Sequence, residues 1–308
     1  MELRQLRYFV GVVEAGSLLK ASARLHVAQP ALGLQISSLE EELGTRLFER
    51  TSRGMQLTEA GRIFLDHAKV VLNDIERARA AVQQTDDAPR GEVAIGLPTT
   101  VALAATVPIV SACRERLPLV RLKVIEAYSG FLREWLQAGR LDVAFLFGDA
   151  ADPVLSKQPL LDERLALVSR PVDGHLPARI ALSRVATVDL VLPSREHGLR
   201  RIIDDACFSL GLQLNVVAEI DSLPSVKRAV EAGIGSTILP LAAVAEEVAA
   251  KRLRASAIAD ASMTRRVVLA VNLTRPATRA AAAVASLATE LIHDMVRSGS
   301  WPGHWIGG

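Results

Sequence analysis

The sequence predicts a protein of more than one domain, in which a small helical N-terminal domain precedes a larger α/β domain. Three observations predict this. Two short amphipathic segments separated by a tight turn lie near the N-terminus, a long helical segment without internal proline follows, and strands alternate with helices after Gly91. The 308 residues suit two or three domains, and the 50% of hydrophobic residues can fill substantial cores.

The stretch from Ser17 to Glu42 predicts two short helices. Ser17 is a natural N-cap, and His26–Ala28 is too short to be more than a tight turn. Gln29 and Pro30 open the second helix and Gly44 ends it; its apolar stripe is Leu32, Ile36, Leu39 and Leu43. Helices joined this way form a helix-turn-helix, which lays its second helix in the major groove of DNA. From the pattern alone, a plain helical hairpin packed into a core stays open as an alternative.

Further elements complete the N-terminal domain. Apolar residues at helical spacing over Leu3–Val13 predict a helix that packs under the two described above. A hairpin is expected over Thr51–Leu57, with its turn at Arg53–Gly54. Arg50 and Arg53 can reach phosphate or the minor groove from this hairpin, although solvated surface charges are the default for isolated arginines.

A long helix is predicted from Glu59 to about Gln84, capped by Thr58. It carries a long apolar seam of Ile63, Val70 or Val71, Leu72, Ile75, Ala78 and Val82. A solitary helix cannot bury such a seam, which therefore packs on its own domain or on the same helix of a second chain. The segment Thr85–Gly91 is polar, contains proline and glycine, and is expected to be a hinge.

The remainder of the chain predicts a mostly parallel sheet covered by helices, because strands and helices alternate along it. The expected strands are Glu92–Leu97, Leu119–Glu126, Leu141–Phe147, Leu165–Ser169, Asp189–Leu192, Asn215–Ile220, Ser236–Pro240 and Arg266–Leu273. The expected helices are Val101–Arg116, Ser129–Gln137, Gly198–Leu210, Leu223–Ala232 and Pro276–Arg297. The tail Ser300–Gly308, with two tryptophans, is expected to be loosely ordered.

The pattern AQPAL…I..LE.ELG..LF.R..RG..LT.AG, from Ala28 to Gly61, resembles the winged helix-turn-helix of LysR-type transcriptional regulators. The segments IGLP, LPSREHGLRRIIDDACFSLGL and VEAGIGSTILP resemble the nitrogen assimilation control branch of that family. The resemblance implies an effector domain with the two-lobed fold of type 2 periplasmic binding proteins. It also implies dimerisation through the long helix, a homotetramer, a small-molecule effector and RNA polymerase as a further partner.

The predicted domains are a DNA-binding domain at 1–58, a linker helix and hinge at 59–90 and an effector domain at 91–300. Lobe 1 is expected at about 91–162 and 266–297, and lobe 2 at about 163–265. The chain is expected to cross between the lobes near Asp162 and near Arg266.

The resemblance and the helix-turn-helix pattern together predict a DNA-reading surface. Gln29 and Gln35 can present a donor and an acceptor to a base edge, and Ala31 can touch a thymine methyl. The family usually has a small hydroxyl residue where Gly33 stands and often a polar or basic one where Leu34 stands. The predicted DNA-contacting residues are Ser17, Lys20, Gln29, Pro30, Ala31, Gly33, Leu34, Gln35, Arg50 and Arg53. Glu40 is expected to be structural.

Ligands of parallel α/β sheets bind beyond the carboxyl ends of the strands. That rule and the resemblance place an effector site at Pro98, Thr99, Thr100, Ser129, Phe147, Ser194, Arg195, His197 and Arg200. Hydroxyls and helix N-termini suit a small anion, and Arg195 with Arg200 could bind a carboxylate. Ordinary N-caps remain the alternative for Thr99, Thr100 and Ser129.

The sequence offers no support for an enzyme, a cofactor or a metal site. The nucleophile-elbow, P-loop, HExxH and full GxGxxG patterns are absent, and Cys113 and Cys207 lack metal-ligand spacing. The net charge of +2 leaves any DNA affinity to the local placement of basic residues. No signal peptide opens the chain and no stretch could span a bilayer, so a cytoplasmic protein without membrane contact is expected.

The function predicted is a DNA-binding regulator that is modulated by a small, anionic effector in a cleft between the lobes. Two alternatives come from other classes: a cytoplasmic solute-binding or sensor protein without DNA binding, and an enzyme of the α/β class. Lack of DNA binding would favour the first and turnover by the purified protein the second.

Overall fold

The computed structural model describes residues 1–51, 54–83, 88–171 and 177–307. They form two compact units, one of Met1–Asp87 with Ala138–Arg140, the other of Ala88–Gln137 and Leu141–Gly308. The first unit contains α1 (Leu3–Ala15), α2 (Leu18–Leu25), α3 (Gln29–Leu43), β1 (Phe48–Thr51), β2 (Gly54–Leu57) and α4 (Glu59–Gln83).

The helices of the first unit begin and end where the capping residues predict. The Ser17 hydroxyl accepts the Lys20 amide at the start of α2, and Gly44 ends α3 in the left-handed conformation. The core joins α1, α3 and β1 through residues such as Phe9, Leu32 and Leu39. Leu43, predicted to be part of the α3 stripe, is exposed instead because it lies in the last turn of the helix.

The hairpin starts earlier than predicted, at Phe48 rather than Thr51, because Phe48 pairs with Leu57. The predicted seam of α4 is divided between two environments. Leu72 packs on the core of the unit, next to Phe64, Leu65 and Ala68, which were not predicted as part of the seam, whereas Ile63, Val71 and Val82 are exposed. Residues 84–87, which include the first three residues of the predicted hinge, lie outside the described part of the chain.

The second unit has two lobes. Its elements are β3 (Gly91–Leu97), α5 (Thr99–Arg116), β4 (Val120–Glu126), α6 (Ser129–Gln137), β5 (Val143–Phe147), β6 (Leu155–Ser169), β7 (Arg179–Ile180), α7 (Leu182–Val185), β8 (Asp189–Leu192), α8 (Gly198–Ser209), β9 (Asn215–Glu219), α9 (Leu223–Glu231), β10 (Thr237–Pro240), a 3₁₀ turn (Leu241–Val244), α10 (Ala245–Ala249), β11 (Arg254–Ile258), β12 (Thr264–Asn272), α11 (Arg279–Arg297) and β13 (His304–Trp305).

The strand β6 connects the lobes, and the prediction captured only its C-terminal third. From Leu155 to Arg164 it pairs with β12 in lobe 1, and from Leu165 to Ser169 with β10 and β11 in lobe 2. The chain returns through β12, which begins at Thr264. In the N-terminal part of β6, residues 156–159 are exposed or half-buried, so this part lacks the continuous apolar run that identifies a buried strand.

The sheets are more mixed than predicted. In lobe 1, β3 runs parallel to β4 and β5, but β12 runs antiparallel to β5 and β6 because the chain enters this lobe twice. In lobe 2, β8 and β9 are parallel, whereas β10 and β11 run antiparallel to β6. Each lobe has its own core, and both cysteines are buried.

The expectation of a loosely ordered tail is wrong. Trp301 is fully buried in the core of lobe 1, and β13 pairs with β6 through His304–Asp162 and Trp305–Leu161. The amides of Ile306 and Gly307 both donate to the Leu160 carbonyl. A short segment can be ordered in this way when its large aromatic side chains are buried against an existing strand.

Candidate functional site

The exposed surface of α3 is the first candidate site. The helix buries Leu32, Ile36 and Leu39 and turns the opposite face to solvent. Of the residues predicted to contact DNA, five are exposed and three are half-buried. The exposed residues are Lys20, Gln29, Pro30, Ala31 and Leu34, and the half-buried ones are Ser17, Gly33 and Gln35. The structure therefore presents the α3 residues on one accessible helix, which has Pro30 in its first turn.

Glu40 joins α3 to the β1–β2 hairpin, hereafter the wing. Its buried carboxylate accepts hydrogen bonds from the amides of Leu47 at 2.8 Å and Phe48 at 3.0 Å, and from the Arg46 guanidinium. Charge-assisted bonds of this kind are stronger than neutral ones. The structure thus gives Glu40 the structural position that the sequence predicted, and fixes the start of the wing relative to α3.

The wing also rests on the turn between α1 and α2. The Met55 amide donates to the Gly16 carbonyl at 3.2 Å. Gly54 has a φ of 113°, and a Cβ there would lie 2.8 Å from the Gly16 oxygen, so only glycine fits. The side chain of Arg50 and the whole of Arg53, both predicted to contact DNA, lie outside the described residues.

The second candidate site is a cleft of about 780 Å³ between the lobes of the second unit. The carboxyl ends of β3, β4 and β5 open into it from lobe 1, and the segment after β8 opens into it from lobe 2. Seven of the nine predicted residues line it: Pro98, Thr99, Thr100, Ser129, Phe147, Ser194 and His197.

The other two predicted residues, Arg195 and Arg200, are placed elsewhere, which corrects their assignment to the cleft. They line a separate depression on lobe 2, between α8 and β9. Arg200 is buried, and its guanidinium donates to Asp204, Glu219 and the Pro193 carbonyl. Its Nε and Nη1 groups are thus bonded within lobe 2, away from the cleft.

Arg265, which sequence reasoning missed, also lines the cleft, and its guanidinium is buried. It is 2% exposed and forms an ion pair with Glu163, itself 1% exposed, on the neighbouring strand. Its Nη2 also donates to the Thr100 hydroxyl at 2.8 Å, and its Cζ lies 3.8 Å from the centre of the Phe147 ring. The only sequence signal was an arginine pair at the start of an apolar strand.

The ordered tail completes this cluster. Trp301 Nε1 donates to Glu163 Oε1 at 2.8 Å, while Arg265 Nε and Nη2 donate to Oε2 at 3.0 and 2.6 Å. Within the described part of the chain, Arg265 Nη1 makes no hydrogen bond. The guanidinium is therefore held by Glu163 and Thr100 and retains one nitrogen with free donors.

The hydroxyls of the cleft are partly occupied. Thr100 accepts from Arg265, and the Ser129 Oγ accepts from the Phe147 amide at 3.2 Å. Side-chain capping, the alternative reading, does not hold for α5, whose N-cap is Pro98 and makes no side-chain cap bond. At α8, His197 is the cap, because its Nδ1 accepts from the Leu199 amide at 3.1 Å.

The two lobes are bridged across the cleft beside His197. The Tyr128 hydroxyl of lobe 1 donates to the Asp221 carbonyl of lobe 2 at 3.1 Å, and the ring of Tyr128 lies edge-on to His197. Burial lowers the pKa of His197, and Arg265 adds to the effect. The pKa of Asp221 is lowered chiefly by the Ser194 amide, which donates to its carboxylate.

The described residues contain no group of three His, Cys, Asp or Glu side chains that could hold a metal ion. None of the helices in the described ranges is both long and apolar enough to cross a membrane.

Each of the two units matches a known protein family model. Residues 3–62 match the family model described as bacterial regulatory helix-turn-helix protein, lysR family, and residues 86–292 match the LysR substrate binding domain. The chain is 38% identical to the nitrogen assimilation regulatory protein nac of Klebsiella aerogenes over 242 residues, 78% of each protein. It is 33% identical to the protein of the same name from Escherichia coli K12, over 97% of this chain and 96% of the relative.

Solved structures show the same architecture. A cysteine mutant of OxyR from Corynebacterium glutamicum superposes with a TM-score of 0.62 at 26% identity. The superposition covers 97% of this chain and 96% of the OxyR chain.

Proposed function

This chain belongs to the LysR family of DNA-binding transcriptional regulators, and from that premise we propose that it binds paired operator half-sites under the control of a small anion. Membership confirms the predicted winged helix-turn-helix and two-lobed fold, and the prediction that the protein is not an enzyme. The predicted resemblance to the nitrogen assimilation control branch agrees with the identities of 38% and 33%.

The observation that carries the DNA-binding proposal is the exposed N-terminal half of α3 on a rigidly braced unit. Gln29, Pro30, Ala31 and Leu34 are all accessible, and Glu40 ties the helix to the wing. A helix presented this way can enter the major groove while the wing contacts the backbone. Since the target is chromosomal DNA, we place the protein in the bacterial cytoplasm.

Two sets of exposed apolar side chains support self-association. On α4, Ile63, Val71 and Val82 face solvent, and Val82 is 84% exposed. On the effector unit, Val107 of α5 and Phe208 of α8 are 74% and 87% exposed. Apolar surface of this kind is typical of interfaces between subunits. We therefore propose a dimer through α4 and a tetramer through the effector units.

Sedimentation of the full-length protein tests this assembly. Val71→Glu should remove the α4 interface, and Phe208→Glu the effector-unit interface, so that each single variant forms dimers and the double variant forms monomers. Val217→Glu is a further probe of the second interface, because Val217 on β9 is also exposed. Tetramers that persist in the double variant would contradict the proposal.

The cleft supports an anionic effector through the position of Arg265 rather than through net charge. The lining holds the basic residues Arg133, Lys157, Arg201 and Arg265 and the acidic residues Glu134, Glu196, Asp205 and Asp221. Arg265 lies deep in the cleft, next to the N-terminus of α5, and retains the free donors of Nη1. A helix N-terminus and a guanidinium together favour a carboxylate or a phosphate.

A bound effector would also contact both lobes and so change their separation, which Tyr128 and Asp221 now bridge. Thermal-shift measurements with a panel of small carboxylates, phosphates and neutral solutes test the effector class. We expect stabilisation by members of the anionic set and a smaller shift in Arg265→Lys. Stabilisation by neutral solutes alone would contradict an anionic effector.

Footprinting of the purified protein on the DNA upstream of its own gene tests DNA binding. We expect protection of two spaced half-sites, weakened in Gln29→Ala and unchanged in Gln158→Ala, which alters an exposed glutamine on β6. Absence of protection at low salt, where phosphate contacts are strongest, would refute operator binding on this DNA.

A further inference from the structure

The outward face of α3 carries an apolar patch, which consists of Pro30, Ala31 and Leu34. Leu34 is 70% exposed. At 3.6 residues per turn it lies about 200° around the helix from Leu32, on the side that faces away from the core. Pro30 and Ala31 are exposed one turn earlier, at the i−4 and i−3 positions, so they adjoin Leu34 on the helix surface.

The same helix carries no basic side chain that could read guanine. Between Arg24 and Glu40 the sequence contains no Asp, Glu, Lys or Arg. Arginine or lysine on guanine O6 and N7 is the commonest specific contact in the major groove, and α3 cannot make it. The polar side chains that remain on α3 ahead of Glu40 are Gln29, Gln35, Ser37 and Ser38.

We propose that Leu34 is a specificity-determining residue, which reads the 5-methyl group of a thymine in each operator half-site. This inference rests on the proposed operator binding and adds the identity of one contacted base. The thymine methyl is the apolar group that the base edges present in the major groove. A leucine on the outward face of the helix could shield that methyl from water, whereas a cytosine at the same base position has no methyl.

Gly33 favours close contact beside Leu34. A Cβ built on Gly33 would meet no atom within 4 Å, so glycine is not required there by packing. Its helix conformation needs no positive φ either, and glycine weakens a helix by about 1 kcal/mol relative to alanine. The absence of a side chain leaves the backbone bare next to Leu34, which lets the helix approach the base edges more closely.

Contact with a protein partner is the competing explanation for an exposed leucine on α3. DNA is favoured because the patch lies in the N-terminal half of the second helix of a helix-turn-helix, with Gln29 and Gln35 on the same half. The patch thus lies between two glutamines, Gln29 and Gln35, whose side chains can hydrogen-bond to base edges.

The experiment replaces each thymine of the footprinted operator by uracil, which removes only the methyl group. Dissociation constants are measured by fluorescence anisotropy at one fixed salt concentration, for the wild type, Leu34→Ala and Leu43→Ala. Leu43 is the matched control because it is an exposed leucine at the other end of α3. Alanine preserves helix propensity at both positions.

We expect one thymine per half-site at which uracil weakens wild-type binding by about fourfold, the effect of one buried methyl. Leu34→Ala should bind the thymine operator correspondingly more weakly and should show no further loss with uracil at that position. Leu43→Ala should behave as the wild type does.

Three outcomes would overturn the inference. Wild-type binding could be insensitive to uracil at every position, or Leu34→Ala could stay as sensitive as the wild type. Leu34→Ala could also keep full operator affinity while losing transcription activation in vitro, which would assign the patch to a protein partner. Failure of the wild type to bind the operator at all would instead refute the proposed function, so the two failures are distinguishable.

Discussion

Replacing Glu163 by glutamine should destabilise the effector unit strongly, because it breaks a buried ion pair. Glu163 and Arg265 are 1% and 2% exposed, and the carboxylate receives three donors from Arg265 and Trp301. Glu163→Gln retains an acceptor for Trp301 but leaves the Arg265 charge buried without a partner. Breaking a buried pair in this way costs about 3–5 kcal/mol.

Urea unfolding followed by tryptophan fluorescence measures this loss selectively. The three tryptophans, at positions 135, 301 and 305, all lie in the second unit, so the signal reports on that unit alone. With a urea dependence of about 2 kcal/mol per molar, the midpoint should fall by about 2 M.

Asp162→Asn is the matched control, one residue earlier on the same strand. Asp162 pairs with Arg266, whose side chain is 38% exposed and also contacts Asp149. Solvent screens this pair, so its midpoint should stay close to that of the wild type. Equal midpoints for Glu163→Gln and Asp162→Asn would refute the reasoning that burial gives the Glu163 pair its importance.

The contacts of Glu40, His197 and Gly33 support three further predictions. Glu40→Ala should lower the free energy of unfolding by about 3 kcal/mol and abolish operator binding, because the amides of Leu47 and Phe48 lose a charged acceptor. Hydrogen exchange at those two amides should become faster, and unchanged exchange would contradict the prediction. The pKa of His197 is lowered in the folded state, so below about pH 6.5 the unfolded chain binds a proton that the folded chain does not, and stability should fall as the pH decreases. In His197→Asn the urea midpoint should depend less on pH between 7 and 5; an unaltered dependence would exclude this cause. Gly33→Ala should stabilise α3 by about 1 kcal/mol, because alanine favours the helix and nothing lies within 4 Å of the added Cβ. Hydrogen exchange of the α3 amides should therefore become slower, and faster exchange would contradict the prediction.

The N-terminal unit was predictable from its sequence nearly residue by residue. Ser17, Pro30 and Gly44 set helix ends through interactions that span one turn of chain, so their effect can be read locally. The same holds for the cleft residues Thr99 and Ser129, because their position follows from where a strand ends and the next helix begins.

The effector unit shows where such local rules fail. Arg195 and Arg200 follow β8 as the rule requires, yet Arg200 turns to Glu219 on the adjacent strand and leaves the cleft. The N-terminal part of β6 was missed because exposed and half-buried residues interrupt its apolar ones. Its strand conformation is fixed by pairing with β12 and β13, which its own residues do not reveal.

Local sequence patterns were enough to predict the helix-turn-helix, the alternation of strands and helices, and most of the hydroxyl groups that line the cleft. Which buried charge lies inside that cleft depends on tertiary contacts. Arg265 and Trp301 reach Glu163 across 102 and 138 residues of sequence. Spacing rules act over a few residues, whereas contacts at this separation depend on which strands become neighbours and on where a C-terminal tail finds an apolar surface to cover.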